Sequence, residues 1–286
     1  MLYLSRFSFP DADAEFDFRL TVKRTCYDSF YPFGVLSARG LRELSFEPVT
    51  ILYGGNGCGK TTALNVMAEK LSLMRDAPYN RSSFFEDYVR ICRAETRAPV
   101  PMESRVITSD DVFDFMLNLR AINSGVDDRR EELMREYLDN RHSGFQLKSL
   151  EDYEQLRKVN KARSRTQSRY MRAYLQNNTR EQSNGESAFY YFTNRIGENA
   201  LYLLDEPENS LSPLRQAELV RFMEDSVRFF GCQFVISTHS PFLLAMKGAR
   251  VYDLDADPAA VRKWTELPAM RAYYEFFREH EEAFET

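Results

Sequence analysis

A glycine-rich segment carries the clearest chemical pattern in the sequence. Residues 54–62 have the sequence GGNGCGKTT, which satisfies the pattern GxxxxGK[ST]. Glycine adopts positive φ without strain, so consecutive N–H groups can converge on one phosphate, and the start of a following helix adds partial positive charge. Lys60 supplies a full charge for the outer phosphates of a nucleotide, and Thr61 offers a hydroxyl to Mg²⁺. The residues of this predicted phosphate-binding loop are Gly54, Gly55, Asn56, Gly57, Cys58, Gly59, Lys60, Thr61 and Thr62.

Two adjacent carboxylates follow an apolar run later in the chain. Residues 201–209 have the sequence LYLLDEPEN, which predicts a buried strand that ends at Asp205 and Glu206. Charged groups in such a place are costly unless a cation or a reaction uses them. Asp205 is predicted to hold Mg²⁺, directly or through water, because hard cations prefer oxygen ligands. Glu206 is predicted to orient or deprotonate the attacking water.

A third apolar run ends near a histidine. Phe234–Ser237 predicts another buried strand, and Thr238 and His239 follow it. A single histidine is more often structural than catalytic, but open α/β sheets bind ligands at the carboxyl ends of their strands. His239 is therefore a candidate to donate a hydrogen bond to the terminal phosphate. The predicted catalytic residues are Glu206, His239 and Lys60, and the predicted metal ligands are Thr61 and Asp205.

Short strands and one helix are predicted to position the phosphate-binding loop. Val49–Tyr53 is a β-rich run that ends on the glycines, and Leu41–Phe46 alternates as a half-buried strand does. Phe33–Leu36 is a further candidate strand. The helix that begins at Thr61 carries apolar residues at helical spacing, namely Leu64, Met67, Ala68 and Leu71.

A change in composition along the chain predicts the domain organisation. Residues 76–180 are charged and carry apolar positions at helical spacing, whereas residues 181–286 return to short apolar strands, such as Arg250–Asp253. We therefore expect an α/β fold class. Residues 1–75 and 181–286 would form a nucleotide-binding core, and residues 76–180 an inserted helical lobe.

A polar segment stands shortly before the carboxylate strand. Residues 182–187 have the sequence QSNGES, and Ser183 and Glu186 have the spacing of a capping box before the helix-compatible stretch Ala188–Ile196. Taken alone, the segment predicts only a polar turn that caps a helix.

The order of these motifs resembles that of the ABC ATPase superfamily, over residues 30–75 and 180–250. A phosphate-binding loop is followed by a short Ser/Gly segment, an LLDEP strand, a D-loop and a strand that ends in histidine. The resemblance implies an ABC-ATPase nucleotide-binding core with an N-terminal antiparallel β region, and ATP and Mg²⁺ as cofactors. The segments ENSLSP and ISTHSPFLL are similar to the non-transporter branch. That branch includes the structural-maintenance-of-chromosomes (SMC), RecF-like and OLD-like ATPases, and the small AAA-family ATPases of bacterial defence systems.

The same resemblance implies a homodimer that sandwiches ATP, or a higher oligomer. Ser210–Ser212 would be the D-loop, which crosses the dimer interface. The residues that would form the signature, which reaches the γ-phosphate of a partner subunit, are Ser183, Asn184, Gly185 and Glu186.

The sequence departs from the family pattern at two places. The signature is QSNGE instead of LSGGQ, and Ser109, Asp110 and Asp111 stand where the Q-loop glutamine is expected. Tyr31 and Phe33 are candidates for the adenine contact, because aromatic residues upstream of the loop often stack on the base in this superfamily.

Basic residues are concentrated at one place in the predicted lobe. If this segment is helical, these residues form a single stripe on one face of the helix. The clustering is notable because the whole chain has a net charge of -5. Such a stripe is typical of a nucleic-acid contact or an acidic partner surface, and equally of a solvated helix face. The stripe residues are Arg157, Lys161, Arg165, Arg169 and Arg172.

Composition and cysteine usage indicate a cytoplasmic protein without a membrane partner. The four cysteines form no CxxC pair, and no window has the length of a membrane-spanning helix. We expect an ATP hydrolase whose ATP-dependent dimerisation controls a separately encoded effector, with a nuclease as one candidate. The resemblance favours bacterial anti-phage defence. The alternatives are a DNA-repair or DNA-clamp ATPase of the RecF or SMC kind and, less favoured, the ATPase subunit of a transporter.

Overall fold

A computed structural model describes residues 1–23, 27, 29–143, 153–164 and 184–284. Its strands are β1 (Leu4–Ser8), β2 (Glu43–Ser45), β3 (Val49–Tyr53), β4 (Arg93–Thr96), β5 (Arg105–Thr108), β6 (Leu201–Asp205), β7 (Gln233–Ser237), β8 (Arg250–Asp253) and β9 (Ala260–Val261). Its α-helices are α1 (Ala12–Thr21), α2 (Lys60–Lys70), α3 (Phe85–Ile91), α4 (Ser109–His142), α5 (Tyr153–Ser164), α6 (Asn184–Arg195), α7 (Pro213–Phe229), α8 (Pro241–Leu244) and α9 (Pro268–Glu279). Short 3₁₀ helices span Ser37–Arg39, Pro207–Ser210, Trp264–Glu266 and Glu281–Phe284.

Two sheets make up the core. Six strands form a sheet in the order β5-β6-β7-β3-β8-β9, in which every pair is parallel except β8 with β9. The second sheet, β2-β1-β4, is antiparallel. The predicted α/β fold class with an N-terminal antiparallel β region is confirmed.

The strand β3, which precedes the glycine-rich loop, lies in the interior of the larger sheet. All five of its residues are buried, and it pairs with β7 on one side and β8 on the other. The buried Gln233 of β7 joins the two sheets. Its side chain accepts from the N–H groups of Tyr3 and Leu4 at 2.8 and 2.9 Å and donates to the carbonyl of Leu4 at 2.8 Å.

The chain divides into two compact units, Met1–Phe113 with Asn184–Thr286, and Asp114–Ser183. The first therefore includes residues 76–113, which the sequence assigned to the helical lobe. The reason is strand pairing: β4 pairs with β1, and β5 with β6. In the second unit, α5 packs on α4 through a small buried cluster of Leu133, Tyr137 and Ala162.

The predicted strand Phe33–Leu36 is wrong. Residues 31–35 form turns, because Gly34 has a φ of +83°, and Phe33 is buried by stacking on Phe18. The predicted strand at 41–46 is present as the shorter β2. Within the described ranges, no helix combines the length and the apolar character that crossing a bilayer needs.

Candidate functional site

The predicted motifs lie at one edge of the six-stranded sheet. The phosphate-binding loop follows β3, Asp205 ends β6, and His239 follows β7 by two residues. Because β7 pairs in parallel with both β3 and β6, the carboxyl ends of the three strands are adjacent. Three segments far apart in sequence are thereby brought to one site, as the sequence predicts.

The loop itself has the conformation that its glycines permit. Gly54, Gly57 and Gly59 have φ values of 154°, 79° and 102°. A Cβ on Gly59 would lie 2.8 Å from Leu36, so only glycine fits where α2 begins. Asn56 and Gly57 are exposed at the tip of the loop, and the first N–H groups of α2 have no partner within the helix. This arrangement can receive an anion.

Lys60 connects the loop to the other two motifs. The side chain is only 5% exposed, and its Nζ lies 2.6 Å from the Gly54 carbonyl oxygen and 3.2 Å from that of Gly55. Nζ also lies 2.9 Å from Nε2 of His239 and 4.0 Å from Oε1 of Glu206. The three predicted catalytic side chains therefore converge on one point beside the loop.

Glu206 has an unusual backbone for a residue with a side chain. Its φ of 49° and ψ of 54° lie in the left-handed region, where a Cβ is disfavoured. The N–H of Glu206 donates to the Ser237 carbonyl at 2.9 Å, and Nδ2 of Asn209 donates to Oε2 at 3.0 Å. The carboxylate remains partly exposed and lies 3.8 Å from His239. Strain of this kind is common where a side chain must be aimed at a reacting group.

Asp205 lies deeper than Glu206. The hydroxyls of Ser237 and Thr61 both donate to its carboxylate. Burial raises the pKa of Asp205 despite these hydrogen bonds, because the charged form has lost water. A carboxylate in this condition gains from a cation, and the hydroxyl of Thr61 and the oxygen atoms of Asp205 are ligands that Mg²⁺ accepts.

Glu208 is a carboxylate for which no role was predicted. One of its oxygens, Oε1, accepts from the N–H of His239 at 2.7 Å, and the Thr238 side chain also bonds it. Oε2 is buried and has no hydrogen-bond partner among the residues that the structure describes, and burial raises the pKa of the group. Glu208 thus fixes the backbone at His239. The only signal in the sequence is that the residue stands three positions after Asp205.

Asp255 is a second contact that was not foreseen. Oδ2 of this residue, which follows β8, accepts from the N–H of Gly55 at 2.6 Å. Tyr31 also reaches the loop, since its hydroxyl lies 3.2 Å from that of Thr62. Phe33, the other candidate for the adenine contact, is only 5% exposed, so its ring face is covered.

The segments predicted to be the signature and the D-loop lie side by side. α6 begins at Asn184, and a Cβ on Gly185 would be 3.8 Å from the carbonyl oxygen of Ser210. Glu186 forms a 3.3 Å ion pair with Arg215, just beyond the D-loop. Ser183 lies outside the described residues.

The position expected for the Q-loop glutamine has a structural role. Asp111 is buried, and its carboxylate accepts from the N–H groups of Ala77 and Thr108, both at 2.7 Å. Of the basic stripe, Arg157 is exposed and Lys161 half-buried on α5. Arg165, Arg169 and Arg172 lie outside the described residues.

Comparison with known proteins gives one family match and several structural neighbours. Residues 176–245 match the family model described as "AAA domain, putative AbiEii toxin, Type IV TA system". No curated protein matches the sequence. The matched range includes the predicted signature and D-loop, together with Asp205, Glu206 and His239.

The structural neighbours have low sequence identity. The SMC head domain of Pyrococcus furiosus, solved with an extended coiled coil and the C-terminal domain of ScpA, is 12% identical. It covers 82% of this chain and 94% of its own, with a TM-score of 0.41. The SMC head domain of Thermotoga maritima is 12% identical. The match covers 92% of this chain and 99% of that domain, with a TM-score of 0.40. The ATP-binding cassette MJ0796, in a dimeric post-hydrolysis state bound to ADP and Pi, is 11% identical. The match covers 79% of this chain and 90% of that protein, with a TM-score of 0.38.

The family match covers part of the candidate site at the sheet edge. The match covers the motifs of β6 and β7, and the structure places these motifs against the phosphate-binding loop that precedes α2. Over residues 176–245, the part that contains β6 and β7, the chain is therefore similar to this AAA-domain family.

Proposed function

We propose that this protein binds ATP with Mg²⁺ at residues 54–62 and hydrolyses it to ADP and phosphate. The observation that carries the proposal is the convergence of Lys60, Glu206 and His239. The Lys60 ammonium group lies 2.9 Å from His239 and 4.0 Å from Glu206, beside the loop that can receive phosphates. A cation, a carboxylate and an imidazole in this arrangement suit an attack of water on a phosphoryl group.

Each residue has a role that its surroundings support. Lys60 leaves the carbonyls of Gly54 and Gly55 to contact the outer phosphates, and the loop N–H groups bind the remaining oxygens. Glu206 orients and deprotonates the attacking water. His239, held at its N–H by Glu208, donates to the terminal phosphate. Thr61 and Asp205 would hold Mg²⁺, which neutralises phosphate charge when bound.

The binding half of this proposal is tested with Lys60→Ala. Loss of charge-assisted hydrogen bonds worth ~1.5–3 kcal/mol should weaken ATP binding by about 10–100-fold, measured by calorimetry with MgATP. Lys247→Ala, at an exposed lysine away from the strand edge, is the matched control and should bind as the unmodified protein does. Equal affinity of Lys60→Ala and the control would exclude the loop as the nucleotide site.

We further propose that two copies of the chain enclose ATP between them. The signature, Ser183–Glu186, and the D-loop, Ser210–Ser212, would complete the site of the partner. The proximity of Gly185 to Ser210 supports a single shared surface. Light scattering of Glu206→Gln with MgATP should show an increase in mass, which Ser183→Arg should abolish. A mass that is independent of nucleotide, in a protein that is monomeric throughout, would count against the dimer.

The biological role is proposed from the family match. The matched description names a toxin of a type IV toxin–antitoxin system, which favours a defence role in the cytoplasm. We propose that the ATPase controls a separately encoded effector, a nuclease being one candidate. Residues 114–183 are the proposed contact, and a pull-down from native cells with mass spectrometry tests it. Recovery of the ATPase alone, with and without ATP, would contradict it.

A second candidate function is a DNA-repair or DNA-clamp ATPase. The exposed Arg157 of the basic stripe favours it. Charge reversal at Lys161, Arg165 and Arg169 should then abolish DNA binding in a gel-shift assay while ATP hydrolysis continues. DNA binding that survives the reversal would exclude the stripe as the contact.

A further inference from the structure

A glutamine outside the family motifs bridges two of them. Gln216 lies in the first turn of α7, one turn after the D-loop. Its Nε2 donates to the carbonyl oxygen of Leu211 at 2.9 Å, and its Oε1 accepts from the hydroxyl of Ser240 at 2.7 Å. Leu211 belongs to the D-loop, and Ser240 follows His239 directly.

The direction of this bridge is fixed by its neighbours. The hydroxyl oxygen of Ser240 also accepts from the N–H groups of Phe242 and Leu243, at 3.2 and 3.4 Å. Its single hydrogen is therefore committed to Gln216. The Leu211 carbonyl can only accept, so the amide group of Gln216 has one orientation that satisfies both ends. Ser240 and Leu211 are 4% and 7% exposed, and hydrogen bonds at such buried positions are costly to lose.

We propose that Gln216 is a positioning residue that couples the D-loop to the His239 segment. The inference rests on the proposed function, because it gives the D-loop of a docking partner a route to the catalytic histidine. Glu208, in the loop after β6, makes a second connection to this segment by accepting a hydrogen bond from the N–H of His239. On its other side the D-loop adjoins Gly185 of the signature. A partner that displaces the D-loop therefore shifts His239 through two side chains.

Two substitutions separate this coupling from a local packing role. Gln216→Leu removes both hydrogen bonds at similar size. Gln216→Glu keeps the acceptor for Ser240 but sets a carboxylate against the Leu211 carbonyl, so it breaks only the D-loop end. Arg221→Ala, an exposed position on the same helix, is the control.

The decisive readout is hydrogen exchange of residues 239–244 in the full chain, together with steady-state hydrolysis. Both Gln216 variants should exchange these amides about tenfold faster, and their kcat should fall about tenfold while KM for ATP stays unchanged and the melting temperature falls by only about 2–4 °C. In a Gln216→Leu/Ser240→Ala double variant the two losses should not add. Unchanged exchange in Gln216→Leu, or wild-type exchange in Gln216→Glu, would overturn the coupling. An unmodified protein without ATPase activity would instead refute the proposed function, and the exchange result would still decide the coupling.

Discussion

Burial raises the pKa of Asp205 and Glu208 at the carboxyl edge of the six-stranded sheet, and it raises the pKa of Glu15 on α1 in the same direction. The surroundings differ. Glu15 is 4% exposed and accepts from the Gly34 N–H and the Ser37 hydroxyl, at 2.7 and 2.8 Å.

Glu15 differs from Asp205 and Glu208 in the groups that its carboxylate contacts. Glu15 accepts hydrogen bonds from donors of a neighbouring turn, and its Oε1 has no hydrogen-bond partner in the described part of the chain. Asp205 instead adjoins Thr61 of the phosphate-binding loop, and Glu208 fixes the backbone of His239. A buried carboxylate therefore does not identify a functional site by itself. Convergence with groups of complementary chemistry is the feature that marks a candidate site.

The largest effect expected from this comparison is at Asp205. Asp205→Asn keeps the shape and an acceptor oxygen for the Ser237 hydroxyl but removes the charge that Mg²⁺ needs. Hydrolysis should fall about 100-fold, equivalent to ~2.7 kcal/mol, and its dependence on magnesium concentration should weaken. A magnesium titration of phosphate release measures both. Asp257→Asn, at an exposed acid beyond β8, should leave the titration unchanged, and a normal titration in Asp205→Asn would show that the acid does not serve the metal.

A smaller loss is expected at Glu208. Glu208→Ala leaves the N–H of His239 without its acceptor, which should lower kcat about tenfold through one lost hydrogen bond, with ATP affinity unchanged. Glu208→Gln keeps an acceptor oxygen and should restore most of the rate. If the alanine variant lost ATP affinity and the glutamine variant did not recover, the residue would be part of the general packing only.

The smallest effect is expected at Glu15, and on stability alone. The folded pKa of Glu15 lies above its ordinary value of 4.5, so its contribution to stability is complete below that pH and is lost as pH rises through the folded pKa. Glu15→Gln is neutral throughout and should raise the melting temperature at pH 7 by about 2–4 °C, equivalent to ~1 kcal/mol, with little change near pH 4.

Asp17→Asn, on the exposed side of the same helix, is the control for a simple change of net charge. ATP hydrolysis should be equal in all three proteins. A lower melting temperature for Glu15→Gln at pH 7 would mean that the charged form of Glu15 stabilises the fold.

The carboxyl edge of the six-stranded sheet and the surroundings of α1 also differ in how far the sequence predicts them. The phosphate-binding loop, Asp205 and His239 follow apolar strands, so their type and position could be predicted locally, and parallel pairing brought them together. Phe33–Leu36 was taken for a strand because its apolar residues outweighed Gly34, whose positive φ produces a turn. The boundary of the lobe at residue 76 was wrong because β5 joins the sheet through pairing with β6, a partner distant in sequence.

Side-chain contacts between distant segments were not predictable. Glu208 meets the N–H of a residue 31 positions away, and Asp255 meets the N–H of Gly55 across 200 positions. These bonds depend on how strands and loops pack in three dimensions, and they leave no periodicity in the sequence. The roles of Ser183 and of the basic stripe stay predictions.

The most direct test of a single hydrolytic site at the sheet edge is phosphate release by Glu206→Gln and the unmodified protein, with MgATP binding measured on the same samples. Loss of the general base should slow release by about 100-fold or more, while ATP affinity is retained. The side chain lies 4.0 Å from Lys60, and the substitution is isosteric. Phosphate release by Glu206→Gln at the rate of the unmodified protein would contradict the assignment of Glu206 as the base, and with it the account of the site.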